Sequence, residues 1–204
     1  MLPLSGKRKL EAAMLKIAVL GAECTGKSTL VAALAAQLRA QGARVAVLDE
    51  GLRQWCADRG RTPRRDEQAG IVQDQLARLD AVPACDYLVC DTTPLMTAVY
   101  SDLLFGDASL YAQAVQVQRA FHLNLLADTD LPWQADGIQR DGVAVQRRVD
   151  QRLRAVLRDY GLAHALLTGA GTARLACAMD ALAQVKGHAA GALTGAQACA
   201  VARL

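Results

Sequence analysis

Residues 19 to 31 read VLGAECTGKSTLV, and within them Gly21, Gly26, Lys27 and Ser28 satisfy the spacing G-x-x-x-x-G-K-[ST]. An apolar run precedes the motif and TLVAALAAQL, with helical spacing, follows it. That order demands a strand, a tight loop and a helix in succession, and it constrains the fold more than any other stretch. Glycines let consecutive backbone N–H groups turn inward around an anion, and the first helical turn adds its unpaired donors and partial positive charge. The loop residues Gly21, Glu23, Cys24, Thr25, Gly26, Lys27, Ser28 and Thr29 are therefore the candidate phosphate cradle. Lys27 would reach the β- and γ-phosphates of a nucleoside triphosphate, and the Ser28 hydroxyl would ligate Mg²⁺.

The remaining apolar, β-branched runs fit one sheet. KIAVLG (16 to 21), RVAVLD (44 to 49), YLVCD (87 to 91), FHLNLLAD (121 to 128) and HALLTG (164 to 169) alternate with helical stretches. Such alternation predicts an α/β fold: a three-layer sandwich around a five-stranded parallel sheet. In sheets of this kind, ligands sit beyond the carboxyl ends of the strands. Carboxylates gather at that edge, in DEGLRQW after the second strand, DTTP after the third and DTDLPWQADGIQR after the fourth.

At 204 residues the chain can bury one core with a small lid or tail. We expect an N-terminal extension over 1–13, a catalytic domain over 14–186 and an Ala/Gly-rich, weakly docked tail over 187–204. Met14 offers an alternative start, since MLKIAVLG begins directly with the first strand. A net charge of +3, with basic residues interspersed among acids, does not call for nucleic acid or a membrane surface as partner. No run is apolar enough to span a bilayer. Six cysteines occur without a C-x-x-C pair or zinc spacing, so reduced thiols and a cytoplasmic setting are expected, with a homo-oligomer left open.

Taken together, these motifs resemble the ribosylnicotinamide kinase domain of bacterial NadR-type proteins, a branch of the P-loop kinases, over roughly residues 15 to 186. The resemblance rests on the phosphate loop, on Glu50 and Arg53 in E-x-x-R, and on Asp91 and Thr92 after the third strand. It rests also on Pro132, Trp133, Asp136, Gly137 and Arg140, and on Arg174 near the start of the last helix. It implies an ATP- and Mg²⁺-dependent kinase with a small nucleoside as acceptor and an arginine-rich lid near 136–150, with Arg140, Arg147 and Arg148 closing over the triphosphate. Arg147 and Arg174 are then nucleotide-binding candidates. The chain departs from the family at Thr93, where D-T-D is common, in an extra residue before Arg140, and at Asp49, where some members carry an aromatic residue. The bifunctional members also carry H-x-G-H, whereas His122, His164 and His188 are isolated here, so that adenylyltransferase activity is not expected.

Phosphoryl transfer needs a positioned acceptor, a metal bridging the phosphates, and cations around the transferring group. Glu50 and Asp91 can each serve as general base or as metal partner. The reading favours Glu50 as base and Asp91, with Ser28, at the metal. Arg53 would orient the acceptor or neutralise developing charge. Trp55 and Trp133 are candidates for stacking on a base, with core packing as the alternative for each. Asp49, Thr92 and the tryptophans form the expected substrate side, where Asp49 would pair with a cationic pyridinium ring. A GTPase would need N-K-x-D, yet the one asparagine, Asn124, precedes Leu125. An AAA-type motor would need a further helical module. A regulatory ATP-binding ATPase remains the competing function.

Overall fold

The computed structural model describes residues 14–133 and 142–192, with the side chains of 189–192 excepted. The N-terminal extension, residues 134–141 (which include Asp136, Gly137 and Arg140) and residues 193–204 lie outside the described residues.

All five expected strands form: β1 (Leu15–Leu20), β2 (Val45–Leu48), β3 (Tyr87–Asp91), β4 (Leu123–Ala127) and β5 (Ala165–Leu167). They make one sheet of order β2-β3-β1-β4-β5, and every neighbouring pair is parallel. Strand β1 is thus central, and its register pairs Val19 with Asp91 on one side and with Leu125 on the other.

Side-chain alternation along β1 divides the core between the two faces of the sheet. Ile17 and Val19 face helices α1 (Lys27–Ala40) and α7 (Gly171–Ala192), where Leu30, Leu34, Leu38 and Leu182 complete a buried cluster. Ala18 and Leu20 face the opposite layer, α4 (Pro94–Phe105), α5 (Tyr111–Gln118) and α6 (Gly142–Asp159), and meet Leu95, Val99, Val115 and Leu153. Helices α2 (Gly51–Arg59) and α3 (Gln68–Asp80) form a small third cluster through Leu52, Cys56 and Ile71, with Trp55 against it. The architecture is the expected three-layer sandwich.

Helix α7 continues to Ala192, six residues into the segment expected as a weakly docked tail. Its alanines, the strongest intrinsic helix formers, carry it through the scattered glycines. From Gly142 onward the segment expected as a lid is helical. Gln146, Val149, Asp150 and Leu153 fall at the three- and four-residue spacing that buries one face, while Arg147 and Arg148 are exposed on the other. Further along, Arg152 bonds Asp102, and Arg154 bonds Asp128 and Asp150, so these arginines knit the scaffold. No described helix is long and apolar enough to cross a membrane, and five cysteines are free among the described residues.

Candidate active site

The phosphate loop leaves the central strand between β3 and β4 and turns directly into α1. Gly21 has φ +147°, and a Cβ there would stand 2.9 Å from the Ala127 carbonyl of β4, so the loop can pass the neighbouring strand only as glycine. Cys24 and Gly26 adopt positive φ as well, 55° and 73°. These left-handed turns aim successive N–H groups to one side, the geometry of an anion nest. Gly26 caps α1, and its carbonyl accepts from Leu30 N–H at 3.0 Å. Inside the loop, the Thr25 hydroxyl donates to the Ala22 carbonyl at 2.9 Å.

Lys27 opens α1 and is buried, with Nζ donating to the Ala22 carbonyl at 2.6 Å. Burial pushes its ammonium below the usual lysine range, and the nearby Glu50 and Asp91 carboxylates oppose that shift. Arg53 and Glu23 also act on it electrostatically, so the predicted set converges on one point. Asp91 ends β3 at 5% exposure, and burial raises its carboxyl above the ordinary range while a hydrogen bond from Ser28 pulls the other way. Its Oδ1 is buried without a hydrogen-bond partner among the described residues. The following residue, Thr92, is a β-branched side chain held at φ +67°, a strained conformation of the kind that gathers at working sites.

The Ser28–Asp91 pair could hold Mg²⁺. A hydroxyl and a carboxylate, already hydrogen-bonded to each other, offer hard oxygen ligands, and the orphaned Asp91 Oδ1 gains a partner when a cation binds. Among the described residues no group of three or more His, Cys, Asp or Glu side chains could hold a metal. An ion there would have one or two protein ligands, with phosphates and water completing its shell.

On the β2–β3 side of the loop, Glu50 caps α2 with its side chain only 12% exposed, and Arg53 Nε donates to its Oε2 at 3.2 Å. Asp49, Asp91 and Thr92 line a pocket there together with Gln75 and Arg78 of α3. Asp49 is exposed, and its backbone carbonyl accepts from Arg78 at 3.2 Å. Trp55 lines an adjoining pocket with Ile71, Asp74 and Gln75. Its ring already carries cationic neighbours, Arg59 at 4.3 Å and Arg61 at 5.0 Å from the centroid. Trp133 is half-buried, and its indole Nε1 has no partner among the described residues.

On the β4–β5 side, a cavity of about 340 Å³ lies between α1 and the start of α7, lined by Thr29, Leu30, Ala33, Leu131, Arg174 and Leu175 among others. Its size and apolar walls suit a flat base. Arg174 is 3% exposed, and its guanidinium is committed to the protein: it donates to the Thr25 carbonyl and to Asp130. Asp130 also accepts from the Gly169 N–H at 2.6 Å, tying the β5–α7 turn to the same brace. Glu23 belongs to this framework too, since its carbonyl accepts from Gln146 at 2.7 Å and its carboxylate from Tyr100 at 3.3 Å.

Asp130, Gln75, Arg78 and Gln146 were not singled out by the sequence. For Gln146 a signal existed, a polar residue in the apolar stripe of α6. Gln75 carries the same signal in the stripe of α3, whereas Asp130 and Arg78 are visible only once distant segments meet.

The sequence profile of the family described as AAA domain matches residues 16–174. No curated protein sequence matches significantly. Among solved structures, the chain is similar to NadR protein in complex with NR, with a TM-score of 0.70 and 21% identity over 85% of this chain and 51% of that one. NadR protein in complex with NAD and AMP-PNP gives a TM-score of 0.64 and 20% identity over 94% of this chain and 51% of that one. Deoxyadenosine kinase from M. mycoides gives 0.60 and 12% identity, over 83% of this chain and 100% of that one. The chain thus spans about half the length of the NadR chains it matches.

Proposed function

Because the chain belongs to the AAA domain family, with a phosphate loop between two dissimilar pockets, we infer that it is an ATP- and Mg²⁺-dependent kinase acting on a nucleoside 5′-hydroxyl. The observation that carries this reading is the division of the site. An apolar, base-sized cavity adjoins the loop on the β4–β5 side, while carboxylates and polar side chains line pockets on the β2–β3 side. An enzyme that only hydrolysed ATP would have no need of the second compartment.

In this reading the nucleobase of ATP occupies the cavity beside Leu131 and Leu175, and the triphosphate lies along the loop N–H groups. Lys27 leaves the Ala22 carbonyl and moves to the β- and γ-phosphates, where its charge stabilises the transition state. Ser28 and Asp91 would hold Mg²⁺, which would supply charge neutralisation at the phosphates. Glu50, at the head of α2, accepts the proton of the acceptor hydroxyl, and Arg53 holds the Glu50 carboxylate in position. Asp91 is the alternative base, but its contact with Ser28 favours the metal role.

Nicotinamide riboside is the acceptor we put first. Its cationic ring suits a pocket edged by Asp49 and Asp74, with Trp55 as the flat neighbour, and the fold is shared with a NadR protein bound to NR. Incubation with ATP, Mg²⁺ and a panel of nucleosides, read by mass spectrometry, tests the assignment. Nicotinamide mononucleotide should form. Efficient phosphorylation of uridine, cytidine or a deoxynucleoside with none of nicotinamide riboside would move the assignment to another acceptor.

A further inference from the structure

We propose that Gln75 selects the acceptor by donating a hydrogen bond from its side-chain amide to a carbonyl or carboxamide oxygen on the base, an inference that rests on the nucleoside-kinase reading above.

Gln75 stands on the inward face of α3, one turn after Ile71, where an apolar residue would complete the stripe. It is a polar side chain only 9% exposed. Burying an amide is costly unless its groups find partners, so its position asks for two answers, one for each end. The oxygen end is answered inside the protein: Thr97 of α4, itself 1% exposed, donates its hydroxyl to Gln75 Oε1 at 3.1 Å. That bond sets the rotation of the amide and turns the NH₂ group away from α4. Gln75 lines both acceptor-side pockets, the one edged by Asp91 and Thr92 and the one beside Trp55, so it sits at their junction.

Arg78, one turn further along α3, lines both pockets too, but it is engaged otherwise. It donates to the Asp49 carbonyl at 3.2 Å, and a Cβ on Gly51 would come within 2.7 Å of its Nη1. The β2–α2 turn therefore closes tightly over Arg78, while the Gln75 amide faces the space left between α2 and α3. A pre-oriented NH₂ at the junction recognises an acceptor oxygen. Nicotinamide, uracil and cytosine each present one; adenine presents none.

A site built to hydrogen-bond a substrate group discriminates strongly against the analogue that lacks it. The test compares nicotinamide riboside with pyridinium riboside, the same nucleoside without its carboxamide, on the wild-type protein and on Gln75→Met and Gln75→Glu. Binding is followed by calorimetry and turnover by product mass. Wild type should prefer the carboxamide by about 100-fold in kcat/KM, carried mostly by KM, and either variant should erase that preference, with pyridinium riboside changing little in Gln75→Met and binding more tightly in Gln75→Glu, whose added carboxylate faces the cationic ring. Uridine should depend on Gln75 in the same way and adenosine should not. Equal preference in wild type and both variants, with turnover intact, overturns the role of Gln75 and leaves the kinase reading standing. Gln75-dependent binding of carbonyl-bearing nucleosides without phosphorylation supports the role of Gln75 and removes the kinase reading. A preference for bases whose only exocyclic group is an amino donor, lost in Gln75→Met, means that the amide faces the pocket with its oxygen and overturns the proposal. So does a wild type that binds none of these nucleosides.

Discussion

Arg174, in the first turn of α7, donates to the Thr25 carbonyl within the phosphate loop while the Asp130 carboxylate holds the same guanidinium. Forty-four residues of sequence separate the two charged partners, and the bond joins the end of β4 to α7 directly behind Gly26. Arg174 thus fixes the cradle from behind. We expect Arg174→Ala to leave Asp130 without its cation and to lower stability by about 2 kcal/mol, less than for a fully buried pair because Asp130 is partly exposed. Arg174→Lys should restore part of the stability, yet ATP affinity should stay depressed, because one ammonium cannot span the Thr25 carbonyl and the carboxylate as the guanidinium fork does. Chemical denaturation and nucleotide titration check both.

Lys27→Ala should abolish phosphoryl transfer without unfolding the protein. In the proposed reaction its ammonium, the one loop cation, lies where charge develops, so its removal should cost about 3 kcal/mol of transition-state stabilisation or more, a loss of about 100-fold or more in rate. The thermal midpoint should move by only a few degrees, since Nζ makes a single bond to the Ala22 carbonyl.

Asp91→Asn should separate stability from activity. Burial raises the Asp91 carboxyl above its ordinary value of 3.8, so the folded state binds this proton more tightly than the unfolded chain does. Stability of the metal-free wild type therefore falls as pH rises from about 3.8 through the raised folded value, and the asparagine variant is spared that loss. At neutral pH the variant should be more stable by on the order of 1 kcal/mol, with the gap closing below pH 4. Saturating Mg²⁺ and ATP should stabilise wild type and not the variant, and the variant should be inactive. Melting curves over a pH series, with and without nucleotide, measure all three.

Gly21→Ala places a Cβ 2.9 Å from a backbone oxygen of β4 at a φ that L-residues rarely adopt. Neither the strand nor the loop can yield cheaply, and we expect a loss of about 2 kcal/mol together with weakened ATP binding. Gly60→Ala is the control: its φ is also positive, but a Cβ there meets nothing within 4 Å, so stability should fall less and nucleotide binding should hold.

The strands were legible because each buried strand is a short apolar run between helical segments, and the loop because its spacing is rigidly tied to its geometry. The convergence of Lys27, Glu50, Arg53 and Asp91 followed from the rule that strand ends share one edge of a parallel sheet. What stayed hidden depends on contacts between remote segments. Nothing in ADTDLP marks Asp130 as the partner of Arg174, and although Gln75 falls in the apolar stripe of α3, nothing in QDQLARLD shows that Thr97 holds its carbonyl. The end of α7 was hard to place for a different reason: Ala/Gly composition suggests weak packing, while the intrinsic helix preference of alanine extends the helix to Ala192.

The central claim is that the β2–β3 pockets receive a nucleoside which takes the γ-phosphate of ATP. The most direct measurement is ADP release by purified protein with Mg²⁺-ATP, alone and with nicotinamide riboside or other nucleosides, with the phosphorylated product followed by ³¹P NMR. The account predicts slow ADP release without acceptor, strong stimulation by nucleoside, and one 5′-monophosphate formed per ADP. ADP release at the same rate with and without every nucleoside, with inorganic phosphate as the only product, would contradict it and identify the chain as an ATPase.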